Sequence, residues 1–229
     1  MDTKAENKGI SETMLDSQYK VHSIKHLTDS TYILRFDRNG MEFTPGQHLT
    51  LGMMEDKQLR EYSIYSPNNV DYLEVLIKEV EEGHVSKRLK KLNKGDSVNV
   101  EGPFGFFTAD KNKLSTHKFL FIASGTGIAP FHSMIKSNEE IDYSIIHGVR
   151  YGEEQYASED YPAERYVGCT SRDNGGNFNG RVTDYLRQND IDSNTLVYLC
   201  GNYEMIHEVY DILTSKGLSP DNIRTEVYF

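Results

Sequence analysis

Only two cysteines, Cys169 and Cys200, occur in the chain, too few for a disulfide framework or a four-thiolate iron-sulfur cluster. Any iron-sulfur centre that serves this protein must lie on another one, and no resident metal is expected. Also lacking is an apolar run long enough to span a bilayer, and the opening Met1-Asp-Thr-Lys-Ala-Glu-Asn-Lys-Gly has neither the apolar core nor the cleavage signal of a secretory leader. The expectation is a cytosolic (cytoplasmic) protein. Positive charge is in short supply: 25 Lys and Arg stand against 35 Asp and Glu, and the resulting net charge of -10 argues against general nucleic-acid binding.

What the 229 residues do contain is enough for two domains of ordinary size, each with its own core. Residues 1–17 are polar and aperiodic and read as a loose tail. Short β-rich segments follow at 19–26, 31–37, 48–53, 60–65, 72–77 and 97–101, punctuated by Asp-Arg-Asn-Gly, Pro-Gly and Pro-Asn-Asn turns. One helical stretch, 86–92, turns Leu89 and Leu92 inward and stops at Gly95. Strands spaced this closely predict an antiparallel barrel over 18–112. Over 113–229, strands at 118–123, 143–149, 166–170, 196–200 and 223–227 alternate with helices near 128–137, 182–188 and 203–216, which predicts a doubly wound parallel sheet.

The second half turns on Phe119-Leu-Phe-Ile-Ala-Ser-Gly-Thr-Gly-Ile-Ala-Pro130, read as strand, tight turn and helix. Gly125 and Gly127 lack a Cβ, so the backbone can approach an anionic ligand while free N–H groups at the helix start face it. A third glycine of the usual dinucleotide fingerprint is missing, and Pro130 sits in the first helical turn instead.

Four further motifs occur in order: Arg60-Glu-Tyr-Ser63 on a barrel strand, Gly83-His-Val-Ser86 opening the barrel's helix, Gly102-Pro-Phe-Gly105 closing the barrel, and Cys200-Gly-Asn-Tyr-Glu-Met205 ending a strand of the second half. The chain finishes Glu226-Val-Tyr-Phe229. With the glycine turn, these residues resemble the ferredoxin-NADP reductase family of flavoproteins, of the bacterial ferredoxin/flavodoxin-NADP(H) type, from about Tyr19 to the end. The resemblance implies an FAD-binding antiparallel β-barrel joined to an NADP(H)-binding sheet, with hydride passing between nicotinamide and flavin at the cleft.

On that resemblance Arg60 neutralises the flavin diphosphate, Tyr62 stacks on the isoalloxazine, Ser63 bonds near its N5, and Tyr65 belongs to the same flavin-binding strand. Gly83, His84, Val85 and Ser86 offer the diphosphate a helix start, which favours FAD over FMN. Tyr228 covers the flavin face and Phe229 lies against the adenine. Gly125, Thr126 and Gly127 take the nicotinamide-dinucleotide diphosphate, Cys200, Gly201 and Met205 border the nicotinamide, and Glu226 supports Cys200 or relays protons. Ser63, Cys200, Glu226 and Tyr228 are the expected catalytic set. The plainer readings stay open: Arg60 as a surface ion pair, Tyr62 as barrel core, Ser86 as an N-cap, Cys200 as a buried thiol, and the last two aromatics as packing.

Arg150, Ser171, Arg172 and Arg181 fall where the bacterial members bind the 2'-phosphate, which favours NADPH over NADH, although each arginine alone could be a solvated surface group and Asp173 could neutralise Arg172. Lys87, Arg88, Lys90, Lys91 and Lys94 crowd one helix of an acidic protein, either a solvated face or a docking surface for ferredoxin or flavodoxin. The expected activity is that of a monomeric FAD enzyme exchanging hydride with NADPH and single electrons with such a carrier. A reductase component of an oxygenase, or a flavin or quinone reductase, would share every motif. Outside catalysis, the alternative is an FAD-binding electron-transfer subunit that no longer turns over NADPH.

Overall fold

The computed structural model describes residues 18–55 and 58–228, so the tail assignment for 1–17 and the role given to Phe229 lie outside the described residues. Six antiparallel strands build the first half: β1 (Tyr19–His26), β2 (Thr31–Asp37), β3 (His48–Met53), β4 (Arg60–Ser63), β5 (Tyr72–Lys78) and β6 (Ser97–Phe104), in the order β4-β3-β6-β1-β2-β5. The two edges meet. Past Ser63 the chain leaves β3, bridges Ile64 to Val75, and Tyr65 N–H donates to the Glu74 carbonyl at 2.7 Å. That crossover ends β4 two residues before the expected 60–65 and closes the sheet into the anticipated barrel.

Alternation along β2 and β5 explains why both look apolar throughout. Tyr32, Leu34, Phe36, Leu73, Val75 and Ile77 fill the barrel, whereas Ile33 and Leu76 point outward into a second cluster with Phe119, Phe121 and Phe131. The helix inside the barrel half, α1 (His84–Leu89), begins two residues earlier than expected and is only six residues long. Its N-cap is Gly83, and Ser86 lies within the first turn with its hydroxyl accepting from Val80 N–H at 3.2 Å, so it is not the cap.

The second half is a six-stranded parallel sheet of β7 (Lys118–Ser124), β8 (Asp142–Val149), β9 (Tyr166–Thr170), β10 (Phe178–Asn179), β11 (Leu196–Asn202) and β12 (Ile223–Tyr228), ordered β10-β9-β8-β7-β11-β12. Helices α2 (Ala129–Lys136), α3 (Val182–Gln188) and α4 (Tyr203–Ser215) connect them. Strand order reverses between β7 and β11, so the topological switch point lies at the carboxyl ends of Ser124 and Cys200. The two-residue strand β10 carries no periodicity and was not anticipated. Among the described residues, no helix is long and apolar enough to cross a membrane.

Barrel and sheet share a core. Ile33, Tyr65, Leu76 and Phe107 pack with Phe119, Phe121, Phe131, Met134 and Tyr156. The Tyr65 ring stacks on His132 at 3.8 Å, the His132 Nδ1 lies 2.8 Å from the Tyr65 carbonyl, and the Ser133 hydroxyl donates to the Ser66 carbonyl at 2.8 Å. Tyr65, expected at the flavin, is therefore buried in the joint. Phe107→Ala, which removes a ring packed 5.5 Å from Tyr198 and 6.0 Å from Phe131, is expected to cost about 3–5 kcal/mol in urea unfolding. A loss below about 1 kcal/mol would show that the joint carries little of the stability.

Candidate active site at the domain cleft

Register places the first group of functional side chains. Parallel pairing sets Cys200 opposite Ala123 on one side and Glu226 on the other, and Asn202 opposite Tyr228. Tyr228 follows Glu226 by two residues, so both face the same way along β12. From the barrel, alternation on β4 sends Tyr62 and Ile64 toward the barrel cluster and Ser63 and Tyr65 toward the sheet. Ser63 thereby meets the far strand: its hydroxyl donates to Glu226 Oε2 at 3.2 Å and accepts from the Tyr228 hydroxyl at 2.6 Å. The buried Cys200 Sγ stands 4.0 Å from the same carboxylate oxygen.

Enclosure of these groups moves their proton affinities. Burial lifts the Glu226 carboxyl from an ordinary 4.5 to about 7, the hydrogen bond from Ser63 offsetting part of the rise. Burial, then the charge of Glu226, pushes the Cys200 thiol well up, which makes it a neutral wall rather than a nucleophile. The Tyr228 hydroxyl, the enclosed end of a half-exposed side chain, is likewise raised. The hydroxyls of Tyr228 and Ser63 form a chain of hydrogen bonds that ends on Glu226, and only the carboxyl changes charge near neutral pH.

A groove of roughly 710 Å³ opens beside this cluster at the switch point. Gly125, Thr126, Arg150, Ser171, Arg172, Arg181, Gly201, Met205 and Tyr228 all line it. Gly127 lies beneath, where a Cβ would come within 2.3 Å of the Cys200 carbonyl oxygen, so only glycine lets the turn sit this close to β11. Gly125 adopts φ +54°, a left-handed conformation that suits glycine, and the space beyond its Cβ position is open. A cradle open at Gly125 and tight at Gly127 fits an extended phosphate-bearing ligand.

Electrostatics at the groove rim differ from the expectation in two places. The Arg150 guanidinium is taken by Glu154, at 2.8 Å, and Lys78 reaches the same carboxylate from the barrel at 2.9 Å. Burial alone would raise the Glu154 carboxyl, but hydrogen bonds from Arg150 and Lys78 outweigh it and hold it down at about 2. Asp173, the feared neutraliser of Arg172, instead accepts from Gly152 N–H at 2.8 Å and Gly175 N–H at 3.0 Å. Arg172 and Arg181 are exposed, with no ion-pair partner among the described residues.

Residues 18–108 match the oxidoreductase FAD-binding domain and residues 121–211 the oxidoreductase NAD-binding domain. The chain belongs to the oxidoreductases that join these FAD-binding and NAD-binding domains. It is similar to a ferredoxin-NADP reductase of Azotobacter vinelandii, 28% identical over 232 aligned residues, with 87% of this chain and 89% of the relative covered. A toluate 1,2-dioxygenase electron transfer component of Pseudomonas putida is 29% identical over 229 residues, covering 92% of this chain and 67% of the relative. The fold matches that of a Neisseria gonorrhoeae ferredoxin NADP+ reductase solved with FAD and NADP, at a TM-score of 0.81 and 24% identity over 93% of this chain and 98% of that one. As a member of this family of oxidoreductases, the chain binds FAD and a nicotinamide dinucleotide.

The remaining flavin-directed residues lie on the barrel. Arg60 is exposed, donating to the Leu59 carbonyl at 2.9 Å, while Tyr62 is half-buried against the barrel cluster and burial pushes its hydroxyl up to about 12. Val85 and Ser86 are buried and His84 exposed. Sequence reasoning missed Lys78, Glu154 and His147, each of which acts through a partner distant in the chain. The Arg150 and Glu154 spacing was the one available signal for Glu154.

The sign of the Glu226 shift gives a test. A carboxyl whose folded value is raised stabilises fully below its unfolded value and loses that contribution as pH rises toward about 7. Relative to Glu226→Gln, which cannot ionise, wild-type protein at fixed FAD should lose unfolding free energy between pH 4.5 and 7. Parallel pH profiles for the two proteins would refute the assignment.

Proposed function

We propose that this family member oxidises NADPH and passes the electrons one at a time to ferredoxin or flavodoxin, or runs the same steps in reverse. The observation that carries the reading is the meeting of Ser63 with Glu226 and Tyr228 across the cleft, beside a groove whose rim presents Arg172 and Arg181. FAD, when bound, supplies the exchange between hydride chemistry and single-electron transfer.

The chain's own residues then have distinct tasks. Ser63 offers a hydroxyl at the cleft and connects it to Glu226, whose carboxyl holds or releases a proton near neutral pH. Cys200 walls the cleft with an uncharged, polarisable atom. Tyr228, whose strand lies beside the groove, covers the cleft and lines the groove at once, so a nicotinamide must move its ring to come into contact. Tyr62, Arg60 and the α1 start form the barrel-side candidates for holding the flavin. Ser171, Arg172 and Arg181 would read the 2'-phosphate, with Arg150 committed to Glu154.

Docking of the acidic carrier would use fewer cations than the sequence implies, and they do not share one helix as expected, because α1 ends at Leu89 and Lys91 and Lys94 lie in the turns beyond it. Lys87 donates to the Glu81 carbonyl, Arg88 pairs with Glu55 at 3.2 Å, and Lys90 pairs with Glu79 at 2.9 Å. Lys91 and Lys94 are exposed and have no hydrogen-bond or ion-pair partner among the described residues. A reading as an oxygenase reductase component is supported by the similarity to the toluate dioxygenase component.

An anaerobic titration of the FAD-loaded protein tests the nucleotide assignment: NADPH should bleach the flavin at lower concentration than NADH. Arg172→Ala and Arg181→Ala should each weaken the NADPH response about tenfold, the scale of one lost charge-assisted hydrogen bond, and leave NADH unchanged. Equal responses to both nucleotides in wild-type protein would overturn it. Separately, Lys91→Glu with Lys94→Glu should slow ferredoxin reduction at low salt without slowing reduction of a small dye. Equal slowing of both acceptors would remove the docking assignment.

A further inference from the structure

The glycine turn has a support beneath it that faces no solvent. His147 on β8 is fully buried, at 0% exposure, with Nε2 2.8 Å from the Gly125 carbonyl oxygen and Nδ1 2.9 Å from the Tyr166 hydroxyl. A carbonyl can only accept, so Nε2 carries the proton, and the Tyr166 hydroxyl must then donate to Nδ1. The two partners leave the ring one tautomer. Burial also holds the imidazole down at about 4, against partial opposition from the Gly125 hydrogen bond, so it stays neutral at ordinary pH and is a hydrogen-bond donor rather than a cation.

The consequence reaches the groove through one peptide plane. In a trans peptide the C=O and N–H point in opposite directions. Drawing the Gly125 oxygen inward to His147 therefore turns the Thr126 N–H outward, on a turn where both Gly125 and Thr126 line the groove. The φ of +54° at Gly125 is the backbone setting that accompanies this orientation.

We propose that His147 is a positioning residue for dinucleotide binding: its Nε2–H holds the Gly125 carbonyl, with Tyr166 setting the tautomer, and so presents the Thr126 N–H to the diphosphate of the nicotinamide dinucleotide. His147 itself touches no ligand. The proposal rests on the dinucleotide occupying this groove, and not on a preference for NADPH over NADH.

The test is calorimetric binding to the FAD-loaded protein of ADP-ribose and 2'-phospho-ADP-ribose, which carry the diphosphate, and of adenosine 2'-monophosphate, which does not. His147→Leu should weaken both diphosphate ligands about tenfold, equivalent to about 1.4 kcal/mol, and leave the monophosphate unchanged. His147→Gln, with an amide N–H in place of Nε2–H, should restore most of the loss, and Tyr166→Phe should weaken the same two ligands about threefold. A structural disturbance alone would weaken all three ligands together, and that result, or unchanged diphosphate binding in the folded variants, overturns the proposal. Should His147→Leu fail to fold, unchanged diphosphate affinity in Tyr166→Phe does so. If wild-type protein binds ADP-ribose as tightly as its 2'-phospho form, the NADPH assignment falls while this one stands.

Discussion

The 3.2 Å between the Ser63 hydroxyl and the Glu226 carboxylate joins residues 163 positions apart on two different domains, and it exists only while barrel and sheet are held in one relative position. What holds them is the shared apolar cluster, in which Phe107 and Phe121 both pack on Phe131 and Tyr65 stacks on His132. Close-packed interiors resist shifts of even a fraction of an ångström, which is the tolerance a hydrogen bond demands. The Lys78–Glu154–Arg150 bridge adds a polar fastener on the groove side of the same joint. Packing energy is thus converted into the placement of three hydroxyl and carboxyl groups.

Two electrostatic environments lie side by side at this joint, and their contrast follows from exposure. The cleft groups are enclosed, so ionisation is penalised and Cys200, Tyr228 and Glu226 all shift toward their neutral forms. At the rim, Arg172 and Arg181 stay hydrated and charged at small cost. A ligand with an uncharged ring at one end and phosphates at the other suits that division. Between the two zones Glu154 is buried yet ionised, because two cations reach it from opposite domains.

Much of this was legible from local pattern. Strand spacing and turn residues identify the barrel, and strand-helix alternation identifies the sheet, because both depend on short-range periodicity. Gly125 and Gly127 were found from their place after an apolar strand, where an open parallel sheet leaves its carboxyl ends free, and Cys200 through the family resemblance supported by its place near such an end. Features decided by how separate segments fold onto one another were not legible. Tyr65 reads like Tyr62 in sequence, yet alternation plus the crossover from β3 to β5 puts one in the joint and leaves the other on the barrel side. Arg150 reads as a phosphate ligand until Glu154 folds back on it, and His147 reads as one more residue of a buried strand until Gly125 and Tyr166 arrive on either side.

Strand β11 relates the cleft to the groove. Cys200 pairs with Ala123 of the strand that leads into the glycine turn and with Glu226 of the strand that ends the chain, its carbonyl lies against Gly127, and its thiol faces the Glu226 carboxylate. A side chain at residue 127 would push the turn away from β11 and shift the phosphate-facing backbone relative to the cleft. A slip of β12 by one residue would turn Glu226 and Tyr228 to the opposite face of the sheet. The distance between where a dinucleotide is gripped and where its reactive ring must arrive is therefore set by hydrogen-bond register within one sheet, and the barrel needs only to bring Ser63 to that fixed scale.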